Sequence, residues 1–259
     1  MNNDVAGLRV VITAGASGIG LATAEEFLAG GAQVQICDVD TGALERFRSE
    51  HGSAGAWHAD VSDEIAVDAF VSGAVDAMGG VDVLVNNAGI AGPGGRTDTL
   101  EPDAWSRTLD VNVTGTFLTS RKVIPHLVNQ RSGSIVNMSS TAGLMGFPNR
   151  APYAAAKWAI IGLTKTMAME LGEFGVRVNA VCPGSVANER MDRVVELEAD
   201  ASGRSAAEIR RGFTNAVSLQ TFVDPADIAA MIRFVCSPAG ARISGQALTV
   251  DGHTESARS

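Results

Sequence analysis

Short runs of apolar residues alternate along the chain with longer stretches of helical periodicity. Seven runs are rich in β-branched residues, and we predict a strand for each: Leu8–Ile12, Gln33–Cys37, Gly55–Ala59, Val81–Val85, Ser134–Met138, Val176–Cys182 and Ala247–Val250. Several of them are apolar almost throughout, which is typical of parallel strands that are covered on both faces. The alternation predicts an α/β fold, a doubly wound sheet of seven parallel strands with helices on both faces.

The helical stretches carry recognisable start signals. One apolar face repeats at helical spacing through Val67, Phe70, Val71, Ala74, Val75 and Met78. We predict that Ser62 caps this helix. Asp224-Pro225 reads as an N-cap followed by proline at the first helical position. The segment Asn188–Thr221 departs from the rhythm, because it carries many charges and little strand character. We predict a flap over the carboxyl ends of the strands at 188–221, within one domain that spans 1–259.

Composition excludes several functional classes. The formal net charge of −9 and the low aromatic content, 5%, argue against nucleic-acid binding. No apolar run approaches the ~18 residues that span a bilayer, and the first residues lack the features of a signal peptide, so we predict no membrane association and a cytoplasmic protein. The three cysteines lie far apart in apolar surroundings and are predicted to be reduced and buried. The four histidines lack ligand spacing, so no metal site is predicted.

Glycine is concentrated in the turn that follows the first predicted strand, Thr13–Gly20, which leads into a helix. Glycines allow the backbone to approach a pyrophosphate closely, and the helix N-terminus supplies amide donors. Asp38 ends the second predicted strand, where a carboxylate can accept hydrogen bonds from ribose hydroxyls and would repel a 2′-phosphate. Its alternative role is that of a solvent-facing strand terminus. The turn has no Arg or Lys, and Val39 follows Asp38, so the sequence favours NAD over NADP.

Tyr153 and Lys157 are four residues apart in a helical segment, and Ser140 lies thirteen residues before Tyr153. Positions i and i+4 of a helix lie on the same face. The Lys157 ammonium can therefore lie near the Tyr153 phenol and lower its pKa, which would allow proton transfer near neutral pH. Spacing favours Ser140 over its neighbour Ser139 as the third member of this set.

These motifs, taken together, resemble those of the short-chain dehydrogenases/reductases, in the single-domain form of about this length. The resemblance runs from Leu8 to Gly252. Its pieces follow one another at the family's spacing: Thr13–Gly20, Asp60-Val61, Asn86–Gly89, Asn112, Ser140, Tyr153, Lys157, Pro183-Gly184, Ser244–Gln246 and Val250–Gly252.

The resemblance implies a Rossmann-fold oxidoreductase that interconverts a secondary alcohol and a carbonyl compound. Tyr153 would be the general acid/base, and Lys157 would assist it and bind the nicotinamide ribose. Ser140 would hold the substrate oxygen, and Asn112 would position a water for a proton relay, although a purely structural asparagine is the alternative. The implied cofactor-binding set is Gly15, Ser17, Gly18, Ile19, Asp38, Asp60, Val61, Asn87, Ala88, Gly89, Tyr153, Lys157, Pro183, Gly184, Val186 and Asn188.

Three positions depart from the family pattern. Ala14 stands where the family usually has glycine, Asn188 where a threonine often binds the nicotinamide carboxamide, and His253 where glycine is common. The resemblance further implies a homotetramer that associates through the helices around Trp105–Asn129 and Ala151–Phe174.

The substrate is predicted only as a small alcohol or carbonyl compound. Arg150 and Arg190 are the candidate contacts for an anionic group, since arginine binds carboxylate or phosphate through paired hydrogen bonds. However, six acidic residues accompany five arginines in the flap, which is more typical of a solvated helix. Two alternative functions stay open. One is an NADP-dependent reductase of the 3-oxoacyl type, which Asp38 disfavours; the other is a non-catalytic cofactor-sensing protein, which has no need of an intact Asn112, Ser140, Tyr153 and Lys157.

Overall fold

Seven parallel strands form one sheet in the computed structural model, which describes residues 4–254, without the side chains of residues 189, 190, 193, 197, 198, 200 and 201. The strands are β1 (Arg9–Thr13), β2 (Gln33–Asp38), β3 (Gly55–His58), β4 (Val83–Asn86), β5 (Gly133–Met138), β6 (Val176–Pro183) and β7 (Ala247–Val250). Their spatial order is β3-β2-β1-β4-β5-β6-β7. The predicted sheet is confirmed, and each strand agrees with its predicted bounds to within two residues.

Helices connect the strands. They are α1 (Gly18–Ala29), α2 (Thr41–Glu50), α3 (Glu64–Met78), α4 (Pro102–Leu109), α5 (Gly115–Gln130), α6 (Ala151–Leu171), α7 (Glu189–Ser202), α8 (Ala206–Asn215) and α9 (Pro225–Cys236). A π-helical turn, Asp110–Thr114, joins α4 to α5. Within the described part of the chain, no helix combines the length and apolar character needed to cross a bilayer.

The sheet has a hydrophobic layer on each face, as its nearly continuous apolar strands predict. Along β1, Val10 and Ile12 pack into one layer with Phe27 of α1, whereas Val11 faces the other layer with Phe70 of α3. This alternation follows from the two-residue period of a strand. At ~25 cal/mol for each Å² removed from water, burial of these side chains on both faces is the main stabilisation of the sheet.

Helix capping shows one wrong prediction and one confirmed prediction. Asp63, not Ser62, caps α3, because its carboxylate accepts from the amides of Ile65 and Ala66. The Ser62 hydroxyl instead donates to Oδ1 of Asp60. Asp224 caps α9 as predicted, with a reciprocal capping box.

The segment predicted as a flap consists mainly of α7 and α8. Asn188 caps α7 and Ser205 caps α8, each through its side-chain oxygen. An ion pair between Arg210 and Asp192 joins the two helices. This pairing of arginine with acid is what the mixed charge of the segment predicts.

The order of the strands reverses at β1, which pairs with β2 on one side and with β4 on the other. In open parallel sheets, ligands bind in the crevice at the carboxyl ends of the strands next to such a reversal. The loops that follow β1 and β4 are therefore the centre of the candidate site.

Candidate active site

The glycine-rich turn after β1 is built for close approach. A Cβ on Gly20 would lie 2.1 Å from the carbonyl oxygen of Ala14, and one on Gly15 would lie 2.5 Å from the side chain of Ile36. Gly18 has φ +53° and open space around it. Ala14 itself has φ +50°, a conformation that favours glycine, so its departure from the family pattern places an L-residue in a left-handed position.

The loop after β4 holds this turn in place. The Asn87 side-chain amide donates to the carbonyl oxygens of Thr13, at 3.1 Å, and Ala14, at 2.9 Å. The backbone amides of Asn87 and Ala88 both donate to the Thr13 hydroxyl at 3.0 Å. Thr13 was not among the predicted site residues. A buried hydroxyl at the end of an otherwise apolar strand is the signal that points to it.

Asp38 lies at the end of β2 and is almost completely buried. Its carboxylate accepts from the backbone amides of Ala16, at 3.2 Å, and Asp40, at 3.1 Å. A carboxylate has lone pairs for further hydrogen bonds, so these contacts leave it able to accept from hydroxyl groups. Ser17 and Gly18 open α1 beside it, exposed, and Ser17 makes no side-chain capping bond.

Asp60 lies two residues after β3, and its side chain has a partner that the sequence did not indicate. Its Oδ2 accepts from the Arg107 guanidinium at 2.7 Å, and its Oδ1 accepts from the amide and hydroxyl of Ser62. Partial burial raises the pKa of Asp60, but the hydrogen bonds from Ser62 and Arg107 outweigh it and hold the pKa below its usual value. Val61 is buried beside Gly115, the first residue of α5.

Lys157 and Asn112 meet at Gly89. A Cβ on Gly89 would lie 2.6 Å from Asn112 Oδ1 and 3.3 Å from Lys157 Nζ. Asn112 lies in the π-helical turn, and its amide nitrogen donates to the carbonyl oxygens of Ile90 and Thr108. Its Oδ1 is buried and has no hydrogen-bond partner among the described residues. A buried amide oxygen near an ammonium fits a bridging water.

The predicted pairing of Tyr153 with Lys157 is present on α6. Lys157 Nζ lies 5.5 Å from the centroid of the Tyr153 ring, and it donates to the carbonyl oxygen of Met138 at 2.8 Å. Lys157 is 4% exposed, whereas Tyr153 is half-buried. Ser140 follows β5, and its Oγ accepts from the amide of Ala142 at 3.2 Å.

The loop after β6 passes the same edge of the sheet. Gly184 packs against Asp251, where a Cβ would lie within 2.8 Å, and the buried Val186 forms a bridge with Val223. Asn188 has a structural role that the sequence did not reveal. Its Oδ1 accepts from the amide of Met191 at 3.0 Å, so that oxygen caps α7.

Of the two arginines predicted to bind substrate, the structure describes the side chain of one. Arg150 immediately precedes α6, is half-buried, and forms no side-chain hydrogen bond or ion pair with any described residue. The side chain of Arg190 lies outside the described residues. Arg150 is therefore the arginine whose proposed role in substrate binding can be compared with the structure.

The crevice has features that suit a dinucleotide, namely the close-approach glycines and the buried carboxylate of Asp38. Comparison with known proteins agrees. Residues 9–199 match the family model described as short chain dehydrogenase. The chain is 40% identical to 2-(S)-hydroxypropyl-CoM dehydrogenase 3 from Xanthobacter autotrophicus, over 97% of this chain and 98% of that protein.

Two solved structures share the fold closely. NAD+-bound xylitol dehydrogenase is 31% identical with a TM-score of 0.90, over 96% of this chain and 99% of that one. A single-residue variant of actinorhodin polyketide ketoreductase with NADPH is 32% identical with a TM-score of 0.91, over 97% of this chain and 98% of that one. The motifs, the sheet order and these matches agree, and the chain belongs to the short-chain dehydrogenase family.

Proposed function

We propose that the protein is an NAD-dependent oxidoreductase that interconverts a secondary alcohol and a ketone or aldehyde, with Tyr153 as the general acid/base. The observation that carries the proposal is the buried Lys157 ammonium 5.5 Å from the Tyr153 ring. A cation at this position stabilises the negative charge that develops on the phenol oxygen when its proton leaves. The 40% identical relative is named as a dehydrogenase of a hydroxypropyl compound, which supports an alcohol substrate.

The residues divide the chemistry as follows. Tyr153 Oη removes the hydroxyl proton of the alcohol, and Ser140 Oγ hydrogen-bonds the same substrate oxygen. Lys157 and the buried oxygen of Asn112 would hold a water through which the proton passes on toward solvent. When bound, the nicotinamide supplies the hydride chemistry, and the protein orients it. Gly15, Gly18 and Gly20 would admit the pyrophosphate, and Asp38 would hold the adenosine ribose.

The test of the reaction is turnover by Tyr153→Phe in a screen of secondary alcohols, sugars and hydroxy acids. We expect kcat to fall by about 10²–10⁴-fold, since this is what positioned proton transfer contributes. NADH binding and thermal stability should stay close to those of the wild type. Wild-type turnover by this variant would refute the proposal. Turnover by neither protein, with NADH still bound, would favour the non-catalytic sensor.

NAD is preferred over NADP in this proposal because Asp38 would repel a 2′-phosphate. The alternative of an NADP-dependent reductase of the 3-oxoacyl type is supported by the likeness to an NADPH-bound ketoreductase. Fluorescence titration with NADH and NADPH separates the two. We expect NADH to bind at least about tenfold more tightly, equivalent to about 1.4 kcal/mol. Equal or tighter binding of NADPH would overturn the preference.

We further propose that Arg150 contacts an anionic group of the substrate, because it is half-buried and unpaired among the described residues at the start of α6. A hydrogen bond to a charged group contributes about 1.5–3 kcal/mol, so Arg150→Gln should raise KM for an acidic alcohol by more than about tenfold. KM for a neutral alcohol of the same shape is the control. An equal effect on both would remove this proposal. Arg190→Ala is the corresponding variant in the flap.

We propose a homotetramer as the assembly. Phe117 on α5 and Trp158 and Met169 on α6 are large apolar side chains that are exposed in the isolated chain, Met169 to 85%. Exposed apolar residues of this kind on the two longest described helices are typical of an interface. Light scattering coupled to size-exclusion chromatography measures the mass, and a monomer at micromolar concentration would contradict the proposal.

A further inference from the structure

We infer that Ser139, the neighbour of the proposed catalytic Ser140, is a positioning residue that fixes α6 against β5 and β6. This inference rests on the proposed function, because it concerns the placement of Tyr153 and Lys157 relative to Ser140. Ser139 is 4% exposed, so its hydroxyl acts inside the protein and cannot bind a substrate in the crevice.

Ser139 connects three elements. Its backbone amide donates to the carbonyl oxygen of Val181 in β6 at 2.8 Å. Its hydroxyl donates to the backbone carbonyl oxygen of Lys157 in α6 at 2.9 Å. Burial raises the pKa of the Cys182 thiol to about 11, and a hydrogen bond with Ser139 opposes part of that rise. The end of β5 is therefore bonded to the strand on one side and to the helix that packs over it.

Lys157 is held at both of its ends by this strand. Its side-chain ammonium donates to Met138, and its backbone carbonyl accepts from Ser139, the next residue. Gly143, in the turn after Ser140, packs against the same point, since a Cβ there would lie 2.4 Å from Ser139 Oγ and 2.6 Å from Lys157 O. The position of Lys157 along β5 is thus fixed by two hydrogen bonds and one backbone contact.

This fixation acts on the proposed chemistry because Tyr153 lies one helical turn before Lys157. Loss of the Ser139 hydroxyl would remove its hydrogen bond to the Lys157 backbone carbonyl and would allow the helix to move relative to Ser140. A displacement of about 1 Å in an active site can cost about 100-fold in rate, so partial movement should cost about tenfold.

The chain offers a direct readout, because Tyr153 is its only tyrosine. The NMR resonances of an isotope-labelled tyrosine ring, recorded at one fixed pH, therefore report the surroundings of Tyr153 alone, without substrate or cofactor. The variant is Ser139→Ala. The matched control is Thr164→Val, which removes another buried bond between β5 and α6, the one that Thr164 Oγ1 accepts from Asn137 at 2.9 Å. Both variants should lose a similar amount of thermal stability.

We expect Ser139→Ala to shift the tyrosine ring resonance from its wild-type position and to show about tenfold lower kcat, with NADH affinity little changed. Thr164→Val should match the wild type in both properties. An unchanged ring resonance in Ser139→Ala, or the same shift in both variants, would overturn the inference. Tyr153→Phe separates this failure from that of the proposed function. If that variant stays active, the reaction assignment is wrong, whereas the ring resonance of Tyr153 in Ser139→Ala still decides whether Ser139 positions this part of α6.

Discussion

Gly143→Ala should inactivate the enzyme without unfolding it. The added methyl would lie 2.6 Å from the backbone oxygen of Lys157, whereas ordinary contact begins at 3.4 Å. The nearest atom is the Ser139 hydroxyl oxygen at 2.4 Å, which can rotate away, but the Lys157 oxygen is backbone of α6 and cannot. The turn that carries Ser140 must move from the helix that carries Tyr153 by about 0.8 Å, which should lower kcat by about 10–100-fold.

The cost in stability should be moderate. Inserting a methyl group into a closely packed site costs about 1–3 kcal/mol, so the variant should remain folded at room temperature. The measurements are kcat at saturating NAD for an alcohol that the wild type oxidises, and urea unfolding followed by circular dichroism. Gly146→Ala is the matched control, because a Cβ at that position meets nothing within 4 Å. It should retain wild-type kcat.

One result would refute the reasoning. If folded Gly143→Ala turns over at the wild-type rate, the contact between this turn and α6 does not set the catalytic geometry. Equal loss of kcat in Gly143→Ala and Gly146→Ala would show that the loop tolerates no substitution, and the argument from the 2.6 Å contact would fail in the same way.

Three further predictions concern stability. Burial raises the pKa of Asp82, but hydrogen bonds from Arg9 outweigh it and lower the pKa, so this carboxylate stabilises the fold above its unfolded pKa of about 4 and less as pH falls below that. Asp82→Asn should lower the free energy of unfolding by about 1–2 kcal/mol at pH 7, with a smaller difference at pH 3, in urea titrations. Arg177 donates to the carbonyl oxygen of Val235, in the last turn of α9, and to that of Gly240, which follows the helix. Arg177→Ala should cost about 2–3 kcal/mol in the same assay, and a loss below about 0.5 kcal/mol would contradict this. Ala14→Gly relieves a left-handed residue but loosens the unfolded chain, so calorimetry should show a net change within about 0.5 kcal/mol, and a large loss would contradict the strain.

The sequence predicts the sheet well because buried parallel strands must be apolar on both faces, and such strands appear in the sequence as short, almost continuous apolar runs. Helix starts are less certain, because neighbouring residues can have similar capping ability. Ser62 and Asp63 illustrate this, since either side chain could cap α3 and tertiary contacts of Ser62 decide between them.

The same difference between local and long-range information applies to the predictions of the site. Local spacing predicts that Tyr153 and Lys157 share a face of α6, and the structure has them together. Local spacing contains no information on partners that are distant in sequence. Arg107 reaches Asp60 across 47 positions, and Ser139 reaches Lys157 across 18, and both contacts depend on how α4 and α6 pack on the sheet.

Asn188 caps α7, so a ligand that contacted its side chain would also affect the start of that helix. Its side-chain oxygen caps the first turn of α7, which contributes about 0.5–2 kcal/mol to helix stability. The oxygen has two lone pairs, so a ligand donor could share it with the Met191 amide, whereas a ligand that rotates the Asn188 side chain would remove the cap from that turn. Binding of such a ligand and fraying of α7 are thermodynamically coupled, and the coupling is reciprocal. A frayed start of α7 therefore favours the ligand as much as the ligand favours fraying.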